Sequence, residues 1–377
     1  MSERTFKVGN LPESIRQEVK KIQSAEEVLQ LSRFVGTGTL GEKSGMVVSN
    51  SFQPYDLWSR FVRDKRRPIA FVYADKRVVI SRQFSEKVQH KLYHGNLEIT
   101  PAIISKKDTD YIAYPSDREE KVERALIRLA SKGNIIAING KMGKQYAVCF
   151  TLKELQNEMK LVNQTLNIPD LKESLHVLKG AMLRMILDVE NPETGEVEHF
   201  DTTTNYLDAV HFSGERGRSS VKCLAILNSV VAAKIENAEY RGYLFERTQI
   251  FSRSLSRWLA LRLYTVFRYA APGKSYHFLL VDLMIRFGAI ENKQLSANRL
   301  VAIRRDMTQT MRDFIDAEII LNYDVENRKD DDGRIIDYLY KIYPSDRFSQ
   351  EVLNLNKQAK TIEMTFVNED EIEKLME

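Results

Sequence analysis

Between Ser296 and Tyr343 the apolar positions change their period within one continuous run. Leu300, Ile303, Met307, Met311 and Phe314 recur three and four residues apart, which puts them on one face of a helix. Ser296 is placed to cap that helix, because its hydroxyl can accept from a free backbone N–H of the first turn. Beyond Ile319-Ile320 the pattern turns strand-like. It breaks at Asn327-Arg328-Lys329-Asp330-Asp331-Asp332-Gly333 and resumes from Arg334 to Ile342. The Asp-Gly pair supplies a turn, so the spacing predicts a long helix followed by a two-stranded flap.

The same order is legible upstream. Ser116 and Glu119 form a capping-box pattern, and Val122, Leu126 and Leu129 give the inner face of the helix they open. Tyr146 to Phe150 reads as a strand, and a second box at Thr151 and Glu154 opens a short helix to Leu161. Pro169-Asp170 starts a third helix, with Leu171, Leu175, Leu178, Met182, Met185 and Ile186 inward, leading to a turn at Asn191-Pro192-Glu193-Thr194-Gly195. Asn205 to Phe212 and Lys222 to Leu227 read as strands. Later, a helix over Arg253 to Tyr269, a strand over Tyr276 to Leu280 and a helix over Asp282 to Phe287 precede the long helix and its flap. Helix, strand, helix, helix, hairpin therefore occurs twice. The fold predicted is α+β: an N-terminal extension (1–65), two tandem units of this kind (66–235 and 236–350) and an acidic C-terminal tail (351–377). Within the extension Glu13 to Phe34 reads as a helix. Lys65-Arg66-Arg67 reads either as a phosphate contact or as a solvated turn.

Charge sharpens this picture. The chain has 377 residues and a formal net charge of +4, which permits nucleic acid without demanding it. Between Tyr240 and Arg312, however, 13 Lys/Arg stand against four Asp/Glu, whereas Glu363 to Glu377 holds six acids and one lysine. Cys149 and Cys223 sit in apolar runs and read as small buried hydrophobes of a reducing compartment. The first residues lack an apolar leader, and no apolar run approaches spanning length, so the expectation is a cytoplasmic protein without a membrane contact.

Candidate chemistry is sparse. No His-x-His cluster with a nearby tyrosine, as a nicking enzyme needs, and no phosphate-binding Walker loop is present. His90 and His94 are four apart and could share a helix face, but lack the glutamate that makes such spacing a metalloprotease signal. The Asp330–Gly333 run lacks the alternating ligands of a calcium loop. We expect no catalytic residue, no metal and no cofactor.

A helix followed by a two-stranded flap is how a winged helix presents a reading helix and a wing to duplex DNA. Asn298, Arg299, Arg304, Arg305 and Thr308 supply donors for base edges, while Arg312, Arg328, Lys329 and Arg334 are placed for phosphates. In the first unit Lys172, Ser174, His176 and Lys179 are the corresponding candidates. Its hairpin carries Glu193, Glu196 and Glu198, which repel a phosphate backbone, so this unit reads as serving partner contact or dimerisation as well as DNA.

From about Gly95 to Ile342 the chain resembles plasmid replication initiators of the double-winged-helix Rep class, closest to the TrfA and RepE type. The specific segment is Ser254-Leu-Ser-Arg-Trp-Leu-Ala-Leu-Arg-Leu-Tyr, through Tyr276–Gly288, to Arg299–Ile320; Phe150-Thr-Leu-Lys-Glu-Leu resembles the first winged helix. The resemblance implies a non-enzymatic initiator that binds direct repeats (iterons) in an origin, helps open the duplex and recruits the host helicase and initiator. It implies partners of double-stranded DNA, those host proteins and a second copy of the chain. A transcriptional regulator or autorepressor with the same contacts is the alternative reading, and a nicking enzyme the remoter one.

Overall fold

The structure, a computed structural model, describes residues 30–38, 47–63, 69–70, 78–88, 91–106, 109–140, 143–213 and 222–376. Lys65-Arg66-Arg67, His90 and most of the helix expected over Glu13–Phe34 lie outside these residues. The chain is mixed α and β. It opens with helix α1 (residues 30–38) and strand β1 (Val48–Phe52), followed by β2 (Ile69–Ala70), β3 (Ile80–Val88), β4 (Lys91–Thr100), β5 (Ala102–Lys106) and β6 (Thr109–Ala113). The extension expected over 1–65 is in part core: Phe34, Phe52, Tyr55, Trp58 and Phe61 pack into the first hydrophobic cluster, which runs from Leu31 to Ile235.

That cluster is built on helix α2 (Asp117–Ser131), the hairpin β7 (Ile135–Gly140) and β8 (Gly143–Thr151), and helices α3 (Leu152–Lys160) and α4 (Ile168–Gly180). Both capping boxes form. The Thr151 hydroxyl accepts from Glu154 N at 3.1 Å, and the Glu119 carboxylate accepts from Ser116 N at 3.0 Å. Helix α4 starts on the Asn167 side chain, which accepts from Asp170 N at 2.8 Å. It ends at Gly180, not at Leu187 as the apolar positions implied. A Cβ on Gly180 would stand 2.9 Å from that of Ala102, so the end of the helix passes β5 where only a glycine fits without a shift. Met182–Glu190 then becomes strand β9, burying Leu183 and Met185 and exposing Met182 and Arg184 with a period of two. Its partner is β10 (Val197–Asn205), and β11 (Leu207–Ser213) and β12 (Lys222–Leu227) join β8 and β7 in a separate sheet. The β9–β10 hairpin is not a free flap. Strands β4 and β3 extend it into a sheet ordered β10-β9-β4-β3, with His94 on β4 rather than on a helix.

After helix α5 (Ser229–Glu236), strand β13 (Tyr240–Leu244) pairs with β1 and the packing passes to a second cluster. Its elements are α6 (Phe245–Gln249), α7 (Ser254–Val266), β14 (Tyr276–Leu279), α8 (Leu280–Phe287), α9 (Ala297–Asp316), β15 (Ile320–Lys329), β16 (Ile335–Pro344) and α10 (Asp346–Met376). Helix α10 begins at Asp346, within the second expected unit, and runs on through the expected tail. Phe348, Val352 and Leu355, spaced by about one turn, are buried in the second cluster, so at least its first turns are core. The acidic side chains after Glu363 lie outside the described residues.

The two clusters meet across buried charge. Helix α2 carries Asp117, Glu120, Glu123 and Arg124. Glu123 accepts two hydrogen bonds from Arg60, at 2.7 and 2.6 Å. Asp56 pairs with Arg60 at 2.7 Å and Arg124 at 2.8 Å, Glu120 with Arg63, and Asp117 with Arg257 of α7. Farther along, Glu86 of β3 accepts from Arg262 of α7 at 2.6 Å and from Arg286 of α8 at 3.2 Å. Gly288 closes α8 at φ +81°, and a Cβ there would fall 1.9 Å from the Ser59 hydroxyl, which itself donates to Phe287 O.

Two outcomes follow from this junction. Burial alone would raise the Glu120 carboxyl, but Arg63, with the charges of Arg124 and Arg257, outweighs it and holds the group at about 2 instead of 4.5. A carboxylate depressed in the fold stabilises it above its unfolded value and loses that contribution as pH falls through the folded one. About 3 kcal/mol should therefore disappear between pH 4.5 and about 2. The chain has two tryptophans, Trp58 and Trp258, both buried, so tryptophan emission across an acid titration reads this directly, and Glu120→Gln should flatten the profile. Gly288→Ala should lower the urea midpoint by the equivalent of more than about 1 kcal/mol; an unchanged midpoint would contradict the close approach.

Candidate nucleic-acid interface

Helix α9 starts on Ser296, whose hydroxyl accepts from Arg299 N at 3.3 Å. Leu300, Ile303, Met307, Met311 and Phe314 are all buried, as their spacing predicted, and Thr310 joins them. Opposite that face run Asn298, Arg305 and Arg312, each exposed and each seven residues from the next. Seven residues rise about 10 Å, so the three make a nearly straight outward line about 20 Å long. Arg305 and Arg312 have no side-chain partner among the described residues.

The other expected readers are placed differently. Arg299 turns to one flank, where it donates to Ala289 O at 2.8 Å and braces the α8–α9 connection. Arg304 turns to the opposite flank. Its guanidinium lies 4.4 Å from the ring centroid of Tyr338 and donates to the Tyr338 hydroxyl at 3.3 Å. Thr308 is half-buried and donates to Arg304 O at 2.9 Å, beside the Tyr340 hydroxyl, which burial pushes up to about 12. Arg304 and Thr308 thus root the helix against β16. The outward line also contains a residue that the sequence did not single out: Val301 is 62 % exposed, three residues from Asn298 and four from Arg305. The signal was its place between the polar positions of that face.

The β15–β16 hairpin stands beside the helix. Its turn is closed by Asp330, whose carboxylate accepts from Arg334 N at 2.8 Å, and by Gly333 at φ +78°. Arg328 lies 4.0 Å from Glu326 and Arg334 3.7 Å from Asp332, both pairs exposed. From Glu326 to Arg334 the tip carries three basic and four acidic side chains, so Arg328, Lys329 and Arg334 do not form a uniformly positive surface. Two residues into β16 and opposite Arg328, Asp337 accepts from Val281 N at 3.0 Å and Tyr338 N at 2.7 Å, satisfying an N–H in the first turn of α8. Burial raises the Asp337 carboxyl in spite of those two donors.

In the first unit Ser174 must be withdrawn as a reader: it is fully buried on the inner side of α4. Lys172, His176 and Lys179 share the outer side. His176 packs 5.4 Å from the Phe212 ring and Lys172 5.7 Å from it. Burial, reinforced by the charges of Lys172 and Lys179, holds the His176 imidazole below its usual value, which keeps it neutral at neutral pH. The accompanying hairpin exposes Glu193, Glu196 and Glu198, and its Arg184 is taken up by Asp201 at 2.7 Å.

Cys149 and Cys223 are buried free thiols, both pushed up to about 12 by burial. Among the described residues no group of three or more His, Cys, Asp or Glu side chains could hold a metal, and no helix is long and apolar enough to cross a membrane.

No protein-family model and no curated protein matches this chain. Among solved structures it is similar to domains 2 and 3 of RctB, at TM-scores of 0.42 and 0.39 with 10% and 8% identity. Those matches cover 76% and 80% of this chain and 95% and 99% of the RctB chains. It is also similar to the Pi initiator protein solved in complex with iteron DNA, at a TM-score of 0.34 and 10% identity over 53% of this chain and 82% of that one. The functional reading therefore rests on the side-chain placement above.

Replacing Ser296 with alanine removes the cap of α9. The expected cost is about 1 kcal/mol in urea unfolding, and no change would mean that the first turn is held from elsewhere.

Proposed function

We propose that this protein is a replication initiator that binds repeated sites in duplex DNA through two tandem winged helices, without catalysing a reaction itself. The observation that carries the reading is the outward line of α9. Asn298, Val301, Arg305 and Arg312 project from a capped helix whose opposite face is core, with a hairpin alongside. An α-helix of this diameter fits the major groove, where arginine meets guanine, asparagine meets adenine and an apolar side chain meets the thymine methyl. Arg305 and Asn298 are the readers in this arrangement, and Val301 adds the apolar contact. Arg312 and the hairpin-tip Lys329 hold phosphates, and the exposed pairs of Arg328 and Arg334 are weak enough to exchange for phosphate. Arg304, stacked on Tyr338, serves at the junction of helix and wing. Lys172 and Lys179 give the first unit a smaller basic face for the same duplex. Opening of the origin, recruitment of a host helicase and initiator, and self-association complete the proposal.

The test is selection of sites from a random duplex pool, followed by rebinding across a salt series. A recovered sequence of defined length, repeated in an origin that the protein can fire, supports an initiator; the same site in a promoter alone supports a regulator. Arg305→Ala should cost about 1–3 kcal/mol and relax preference at one base position. Lys329→Ala should instead weaken all sequences alike and reduce the slope of log K against log salt by about one. Binding without enrichment, fading smoothly with salt, would reduce the arginines to an electrostatic surface and remove the proposal.

A further inference from the structure

Arg241 and Arg268 depart from the pattern of the arginines at the junction. Arg60, Arg63, Arg124, Arg257 and Arg262 each meet a carboxylate. Arg241 on β13 donates only to neutral groups, Tyr264 O at 3.2 Å and Asn356 Oδ1 at 2.6 Å. Arg268, beyond the end of α7, donates to Thr265 O at 3.2 Å and Gln53 Oε1 at 2.8 Å. Neither forms an ion pair among the described residues. Burial, with the charge of Arg268 added, pushes Arg241 down to about 10, and burial lowers Arg268 as well. Two half-buried guanidiniums without a counter-charge cost free energy that a bound anion removes.

Both line one cavity of about 440 Å³, formed where α1, β4, β13 and α10 meet. That is the size of a small-molecule site, and larger than a bare phosphate ion needs. Arg33 and Lys91 bring the basic residues of the lining to four, and Tyr93 and Tyr240 supply aromatic wall. Gln358 of α10 also lines it, and its Oε1 is buried without a hydrogen-bond partner. Such an acceptor calls for a donor, a hydroxyl or amino group, on whatever occupies the space. Glu239 and Glu363 are the acidic residues of the lining, and Glu239 is already paired with Lys234. Cations, aromatic surface and a lone acceptor together describe an organic anion.

We propose that this cavity binds a small phosphate monoester, with Arg241 and Arg268 on the phosphoryl group, Tyr93 and Tyr240 against the organic part, and Gln358 accepting from it. Guanidinium is suited to the phosphoryl oxygens because its planar fork donates two parallel hydrogen bonds. The monoester could be a nucleotide or the phosphate of a sugar or polyol, and the same chemistry would recognise either.

Calorimetric titration of the full chain with adenosine monophosphate, glycerol phosphate and inorganic pyrophosphate separates these sources. Saturable binding of at least one ester is expected, weakened by about tenfold or more in Arg268→Gln and Arg241→Gln. Preference for adenosine monophosphate would mark a nucleotide site, and comparable binding of glycerol phosphate a general ester site. Lys91 is exposed on its strand, so Lys91→Ala gives a second, smaller loss should the arginine variants not fold. Binding of pyrophosphate alone, absence of saturable binding at millimolar concentration, or unchanged binding in the variants would overturn the proposal. So would parallel loss of duplex binding in Arg268→Gln, which would place these arginines on the DNA surface.

Discussion

The contact between Glu123 and Arg60 is the centre of a charge network in the first half of this protein, a network that reaches the second half through Asp117 and Arg257. Glu123 and Arg60 are each almost fully removed from water, and either alone would cost several kcal/mol. They persist because the charges around them alternate: Asp56 joins Arg60 to Arg124, Glu120 holds Arg63, and Asp117 reaches Arg257 in the second half. Helix α2 supplies the acidic side of this arrangement within its first two turns. A network of this kind contributes little net stability compared with an apolar contact of the same area. Its effect is on specificity, since a displaced arrangement would strand a buried charge.

How much of this could be read from the sequence depended on how local each cause is. Helix α9 and its hairpin were legible because a period of three and four residues, a capping serine and an Asp-Gly turn all act within a few residues. The two capping boxes were legible for the same reason. The charged face of α2 was not. Asp-Arg-Glu-Glu-Lys reads as a solvated surface, and only segments near residues 60 and 257 reveal that it faces inward. Nor could the length of α4 be read, because Met182, Met185 and Ile186 fit a helical period, whereas in the structure they belong to a strand paired with β4 and β10. Strand β4 carries mostly half-buried polar residues, and its pairing with β9 joins residues far apart in the chain.

The candidate interface shows the same division between what composition identifies and what geometry assigns. Five side chains of α9 had the chemistry to read bases, but the helix sends them in three directions. Asn298 and Arg305 point outward, Arg299 is spent on a backbone carbonyl, and Arg304 and Thr308 face the hairpin. Val301, which has no polar chemistry, occupies the outward line. Ser174 has suitable chemistry and no access. Position around the helix therefore decides which side chains are exposed on its outer face more than residue type does.

Asp337 and Tyr338 are neighbours on β16, and between them they hold the first turn of α8 and the guanidinium of Arg304. A load applied at the tip of the hairpin travels along one strand to both anchors at once. The hairpin cannot swing without uncapping one helix and unseating a side chain of another, so helix and hairpin behave as a single stiff lever. In the proposed complex the accommodation then falls on the softer body, the duplex, for which smooth bending over a site of this scale costs about 1–6 kcal/mol. Base steps that yield easily would be favoured even where no side chain touches them.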